Sequence, residues 1–194
     1  MKRAILLILF LLLFSGAGFY SFRYYKSSQY KVVQVVDSLN HVYVYYNGDV
    51  GHVSGRNTTA DGYNLGLKYQ CVEFVKRYYY QHLGHKMPDS YGHAKDFFNA
   101  TIADGALNKK RNLIQYSNPS ISKPKADDLL IFDGNVFNPY GHVVIISKVT
   151  DTNIEMVQQN PGPLGNSRAT ISLTQESGKW RIGDSEALGW LRKE

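Results

Sequence analysis

Cys71 is the only cysteine in the chain. It opens a stretch in which Val72, Val75 and Tyr79, and again Phe74 and Tyr78, recur at helical spacing. At a helix start, unpaired backbone N–H groups and the positive end of the macrodipole favour a thiolate over a thiol, the setting a sulfur nucleophile needs. The same pattern fits a plain core cysteine, because Cys71, Phe74, Val75 and Tyr78 share one face. His142 stands at the mouth of a strand-like run behind Gly141, and regular alternation puts its side chain on the face of Val144 and Ile146. A tight turn near Asp151 folds the next run, Ile154 to Gln159, back antiparallel, so that Gln158 to Asn160 come opposite His142. An amide oxygen there accepts the Nδ1–H and leaves Nε2 facing outward, the orienting task of the third member of a Cys-His-Asn site. A lone histidine at a strand end is commonly structural. The pair carries more meaning than either member.

Placing these groups takes a helix early and a sheet late. The helical pattern runs from Gln70 to Gly84, with Lys76 and Arg77 on its outer side. Asp89 to Asn99 reads as a second, shorter helix carrying Phe97 and Phe98. Strand-like runs follow at Leu129–Phe132, Val143–Val149 and Ile154–Gln159, with Ala169–Leu173 and Leu188–Leu191 available to join them. The fold class expected is α+β. Upstream, the alternation Val42-Tyr43-Val44-Tyr45 suggests a short helix or strand leading into the domain.

A length of 194 residues leaves room for one domain and an appendage. One cysteine excludes an intrachain disulfide and any cysteine-rich metal framework. His82 and His85 read as a surface pair, so no metal and no cofactor are expected. The net charge of +6 favours anionic surroundings without choosing among them. Its densest cluster, Lys109-Lys110-Arg111, reads as a solvated loop, and with no glycine-rich phosphate loop the expectation is no nucleic-acid partner. At the amino terminus, Met1-Lys2-Arg3 precedes an apolar run from Ala4 that extends to Phe22, with Tyr20, Tyr24 and Tyr25 placed like an interfacial belt. Export follows whether the segment is a cleaved signal or an anchor. Bulky Phe19 and Tyr20 crowd the cut and favour an anchor. The expected organisation is a signal segment over 1–22, with membrane contact through 4–22, a juxtamembrane linker over 23–49 and a domain over 50–194 on the non-cytoplasmic side.

The stretch Gly66-Leu67-Lys68-Tyr69-Gln70-Cys71-Val72-Glu73-Phe74-Val75-Lys76-Arg77-Tyr78 resembles the nucleophile motif of the CHAP family of cysteine- and histidine-dependent amidohydrolases and peptidases. Asp128–Phe132 followed by Gly141–Ile146 is similar to its histidine-bearing strands, and Leu188-Gly189-Trp190 to its terminal segment. Within the family the likeness is to the amidase half of bifunctional glutathionylspermidine synthetase/amidases. The resemblance implies a papain-like fold, Cys71 as nucleophile, His142 as general base, and Gln70 with the Cys71 N–H as oxyanion stabilisers. Where that amidase typically has Glu-Gln-Asn, this chain has Gln158-Gln159-Asn160, so the third member is the neutral Gln158, with Asn160 as the alternative. The expected function is a cell-envelope thiol amidohydrolase cleaving an amide bond, foremost in peptidoglycan. The alternatives are a membrane-tethered amidase of glutathionylspermidine-like conjugates and a catalytically silent binding module.

Overall fold

The computed structural model describes residues 2–162 and 165–194; Met1, part of the expected charged amino-terminal region, lies outside them. The apolar run becomes helix α1 (Lys2–Ser28). Its window Ile5–Tyr25 is long and apolar enough to cross a membrane, and none of it is buried by the rest of the chain. Strands β1 (Val35–Leu39) and β2 (Val42–Tyr45) then form a hairpin. Asn40 and His41, both at positive φ, make the tight turn whose twist suits antiparallel neighbours. Val42 and Val44 enter the core while Tyr43 stays exposed. Residues 35–45 are therefore part of the folded unit, although the whole stretch 23–49 reads as linker in the sequence.

A second hairpin, β3 (Arg56–Thr58) and β4 (Asn64–Leu67), delivers the chain to α2 (Cys71–Gln81). Gly66 is at φ +126, and a Cβ there would come within 3.3 Å of the Glu73 backbone, so only glycine lets β4 lie flat on the first turn of α2. The helix buries Phe74, Val75, Tyr78 and Tyr79. Lys76 and Arg77, expected on its outer side, are buried as well. The Lys76 ammonium donates to the carbonyls of Asn64 and Ser90, and the Arg77 guanidinium to that of Tyr43. The helix is thus covered on more than one side, which a single apolar stripe does not reveal.

The helix expected over Asp89–Asn99 shrinks to one 3-10 turn, Lys95–Phe97. The Asp89 and Asp96 carboxylates accept from the backbone N–H groups of Tyr91 and His93, and Gly92 lies at φ +109; these local bonds compete with a helix. Arg111 holds the irregular stretch by donating to the carbonyls of Asp89, Tyr91 and Asp96, its guanidinium 4.0 Å above the Phe97 ring. It is a buried strut, not part of a solvated loop. His85, expected at the surface, is buried beside it, a ring nitrogen 2.9 Å from the Arg111 carbonyl.

The remaining strands are β5 (Ala106–Asn108), β6 (Leu113–Ser117), β7 (Leu129–Phe132), β8 (His142–Val149), β9 (Asn153–Val157), β10 (Arg168–Glu176), β11 (Lys179–Ile182) and β12 (Ala187–Arg192). They form one antiparallel sheet in the order β11-β10-β9-β8-β7-β12-β6-β5. The sheet curls until Trp180 of β11 meets Ser120, just past β6, in a reciprocal pair of backbone hydrogen bonds. One core, including Val144, Ile146, Met156 and Trp190, fills the curl. The other, including Val143, Ile145 and Val157, is capped by α2 and by Val42 and Val44. The architecture is α+β, with the carboxy-terminal strands where alternation predicts them.

Candidate active site

Cys71 is the first residue of α2, preceded by Gln70 in extended conformation, whose side chain makes no capping bond. The first turn therefore presents its N–H groups to whatever lies beyond the helix tip. Cys71 is half-buried there. His142 is held opposite by a local constraint at the start of β8. Gly141 is at φ +72, and a Cβ on it would stand 2.5 Å from the Phe132 carbonyl. The Asn138 amide donates to the Gly141 carbonyl at 2.8 Å, and β7 pairs Phe132 with His142. The imidazole thus leaves a rigid strand end and meets the sulfur across the gap between helix tip and sheet.

Burial pushes the Cys71 thiol up, but the charge and hydrogen bond of His142, helped by the backbone N–H groups of Val143 and Val72, outweigh it and leave the thiol below its ordinary value. Burial likewise pushes the imidazole down. The attraction and hydrogen bond of Cys71 and the bond to Gln158 more than offset it, so His142 is raised. Each group thus favours the charged form of the other, the coupling that a sulfur nucleophile and its base require.

Gln158 lies just past β9. Its Nε2 donates to the Asn166 carbonyl at 2.9 Å, which fixes the amide orientation and leaves Oε1 facing His142 Nε2 at 2.9 Å. An amide oxygen only accepts, so Nε2 carries the hydrogen in this contact and Nδ1 is left for the sulfur. This reverses the ring orientation expected from the sequence, where Nδ1 faces the amide. Strand alternation places a histidine on a sheet but does not choose between its two nitrogens.

Asn160, the alternative orienter, is not at the imidazole: its amide donates to the Val50 carbonyl and to Gln70 Oε1, the latter at 2.6 Å. Gln70 in turn gives both amide hydrogens to carbonyls, Val50 at 3.1 Å and His52 at 2.9 Å. Its side chain is committed to the loop beside the helix tip. Of the two oxyanion donors suggested by resemblance, the Cys71 backbone N–H remains.

Gln159, between them, has a third task. Its nitrogen donates to the Gln70 carbonyl and to Glu73 Oε2, and its oxygen accepts from the Tyr45 N–H at 2.8 Å. Glu73 is fully buried, paired with Arg77 at 2.7 Å and bonded by Asn57 at 2.7 Å. The network ties the end of β9 to the first turn of α2 and to β2, and so sets the distance between histidine and cysteine. The sequence does carry a signal for it, the i,i+4 spacing of Glu73 and Arg77 on the helix. Among the described residues, no three His, Cys, Asp or Glu side chains converge as a metal site would require.

A family model described as the CHAP domain matches residues 60–160. Trypanothione synthetase of Crithidia fasciculata is 31% identical over 120 residues, covering 62% of this chain and 18% of that protein. The bifunctional glutathionylspermidine synthetase/amidase of Escherichia coli (strain K12) is 30% identical over 138 residues, covering 66% of this chain and 22% of that protein. The chain thus spans about a fifth of the length of these relatives. The solved structure of Ly7917 aligns over 39% of this chain and 30% of that chain at 21% identity, with a TM-score of 0.26, too slight to carry an argument.

Proposed function

This chain belongs to the CHAP domain family, and from that premise we propose that it is a membrane-anchored thiol amidohydrolase of papain-like fold that cleaves an amide bond of peptidoglycan on the non-cytoplasmic side. One observation carries the reading: a helix-tip sulfur, an imidazole and an orienting amide stand in sequence, the thiol lowered and the imidazole raised. In this reaction the Cys71 thiolate adds to the substrate carbonyl, and the oxyanion is met by first-turn N–H groups. His142 Nδ1–H then protonates the leaving nitrogen, the C–N bond breaks, and a thioester remains. Nδ1 next takes a proton from water, whose oxygen attacks the thioester; the carboxylic acid leaves and the thiolate returns. Gln158 holds the ring throughout.

Support for the wall as substrate comes from α1, since an anchor at the bilayer brings the site to the amide-rich polymer beside it. The relatives favour a second substrate, because one of the two described above carries glutathionylspermidine in its name. Incubating the full-length protein with isolated peptidoglycan, and separately with glutathionylspermidine, distinguishes the two by mass spectrometry of the products. Wall fragments with new amine and carboxyl ends are the expected result. Hydrolysis of the conjugate alone overturns the wall assignment, and cleavage of neither, with ordinary thiol reactivity, leaves the silent binding module.

A further inference from the structure

The Gln70 carbonyl and the Cys71 N–H belong to one peptide group. Cys71 opens α2, so its N–H has no acceptor inside the helix and is free to meet an oxyanion. Whatever grips the carbonyl is therefore felt at that donor. Two groups do so: the Phe74 N–H at 3.1 Å, which is the first bond of the helix, and the Gln159 side-chain nitrogen at 3.2 Å.

Gln159 is fully buried. Its nitrogen gives the other hydrogen to Glu73 Oε2 at 3.0 Å, while its oxygen accepts from the Tyr45 N–H at 2.8 Å and from the Arg77 guanidinium at 3.4 Å. Both donors and both lone pairs are thus engaged, and the amide cannot turn. A chain of dipoles results, running from the guanidinium and the Tyr45 N–H through the Gln159 amide to the Gln70 carbonyl, with the Cys71 N–H at its open end. In such a series each bond polarises the next, and the final donor is aimed where negative charge develops. The bond to Glu73 alone would tie the end of β9 to α2; only the bond to the Gln70 carbonyl has a consequence at the reacting atoms. Resting on the amidohydrolase reading above, we propose that Gln159 is a positioning residue for the oxyanion donor, fixing and polarising the Gln70–Cys71 peptide group. Consecutive residues then serve the two halves of the site, Gln158 the imidazole and Gln159 the peptide N–H.

The test compares the full chain with Gln159→Met on two reagents. With p-nitrophenyl acetate the thiolate adds to the ester carbonyl, whose oxygen becomes an oxyanion; collapse leaves acetyl on the sulfur and releases p-nitrophenolate. With iodoacetamide the same sulfur displaces iodide from carbon, and no oxyanion forms. Methionine fills the site without a donor, while the Glu73–Arg77 pair and the Asn57 bond still hold the helix tip. Acylation is expected to slow about tenfold and alkylation to stay within about twofold, since the donor is weakened but not removed. Because Cys71 is the only cysteine, heavy-nitrogen labelling of cysteine gives a single amide signal, whose nitrogen frequency is expected to fall when the carbonyl loses its bond. Equal losses with both reagents, loss with neither, or an unmoved amide signal overturns the role. Failure of both Gln159→Met and Gln159→Leu to fold by circular dichroism overturns it too, in favour of a purely structural amide. If the parent protein reacts with both reagents no faster than a free thiol, the amidohydrolase reading fails, and the amide signal then decides by itself whether Gln159 polarises the peptide.

Discussion

The side-chain oxygen of Gln158 stands 2.9 Å from His142 Nε2, while the nitrogen of the same amide is held at 2.9 Å by the Asn166 carbonyl. The two contacts make different demands. The imidazole needs an acceptor and the carbonyl needs a donor, and an amide supplies both where a carboxylate supplies only the first. The chain has thereby exchanged charge balance on the imidazolium for a fixed orientation.

Gln158→Glu tests that exchange. A charged acceptor strengthens the bond to His142 and raises the imidazolium further, so the alkaline limb of the activity profile is expected to move to higher pH, with turnover at neutral pH up about threefold. The lost donor to Asn166 is expected to cost about 1–2 kcal/mol of stability. A pH–rate profile with an unmoved alkaline limb, alongside urea unfolding, would show that Gln158 does not govern the ring.

His142→Ala separates the opposing influences on the sulfur. Without the imidazole, burial acts against only the backbone N–H groups of Val143 and Val72, and the thiol is pushed up. In the intact protein the imidazole holds the thiol below its ordinary value, so more of Cys71 is thiolate at neutral pH than in the variant. Iodoacetamide should therefore alkylate Cys71 rapidly at neutral pH. The variant should be at least about tenfold slower there, recovering only under alkaline conditions. Equal rates in the two proteins at pH 7 would dissolve the pair.

Much of this arrangement is legible in the residues themselves. Helical spacing after Cys71 and period-two runs around His142 and Met156 report the elements correctly, because each buries one face and leaves a periodic trace. The site is legible to the same depth: the pattern brings Gln158–Asn160 opposite His142 but does not show that each amide grips a different partner. Lys76, Arg77 and Arg111 are misread for the opposite reason. Their charges announce a solvated face, whereas they are buried against backbone carbonyls, and carbonyl acceptors leave no mark in a sequence. The 89–99 stretch fails as a helix because two aspartates bond their own neighbours.

Gly141→Ala tests how His142 is held. An alanine Cβ would meet the Phe132 carbonyl at 2.5 Å and the Lys95 Cβ at 3.0 Å, in a left-handed conformation that alanine adopts at a cost of about 1–2 kcal/mol. The start of β8 must shift, and the imidazole with it. A shift of about 1 Å corresponds to roughly a hundredfold loss of kcat. The variant should remain folded by circular dichroism, with KM little changed. Full activity would mean that the histidine position is set elsewhere.

Lys76 makes stability rise with pH, as a paired carboxylate does, but in the alkaline range rather than the acid one. Its ammonium is buried against the carbonyls of Asn64 and Ser90 and lies 4.8 Å from the Tyr63 ring centroid. Burial, with Arg111 and Arg56 near, brings it from 10.5 down to about 7. In the unfolded chain the lysine keeps its proton up to its ordinary value. Between about pH 7 and 10 the unfolded state thus binds more protons than the folded one, and unfolding becomes harder as pH rises, by up to about 1 kcal/mol per pH unit. Lys76→Met removes the group at similar length, and its urea midpoint should stay flat over that range while the parent protein climbs. Parallel curves for the two proteins would show that the ammonium keeps its proton in the fold, and that the carbonyls and ring around it compensate its burial in full.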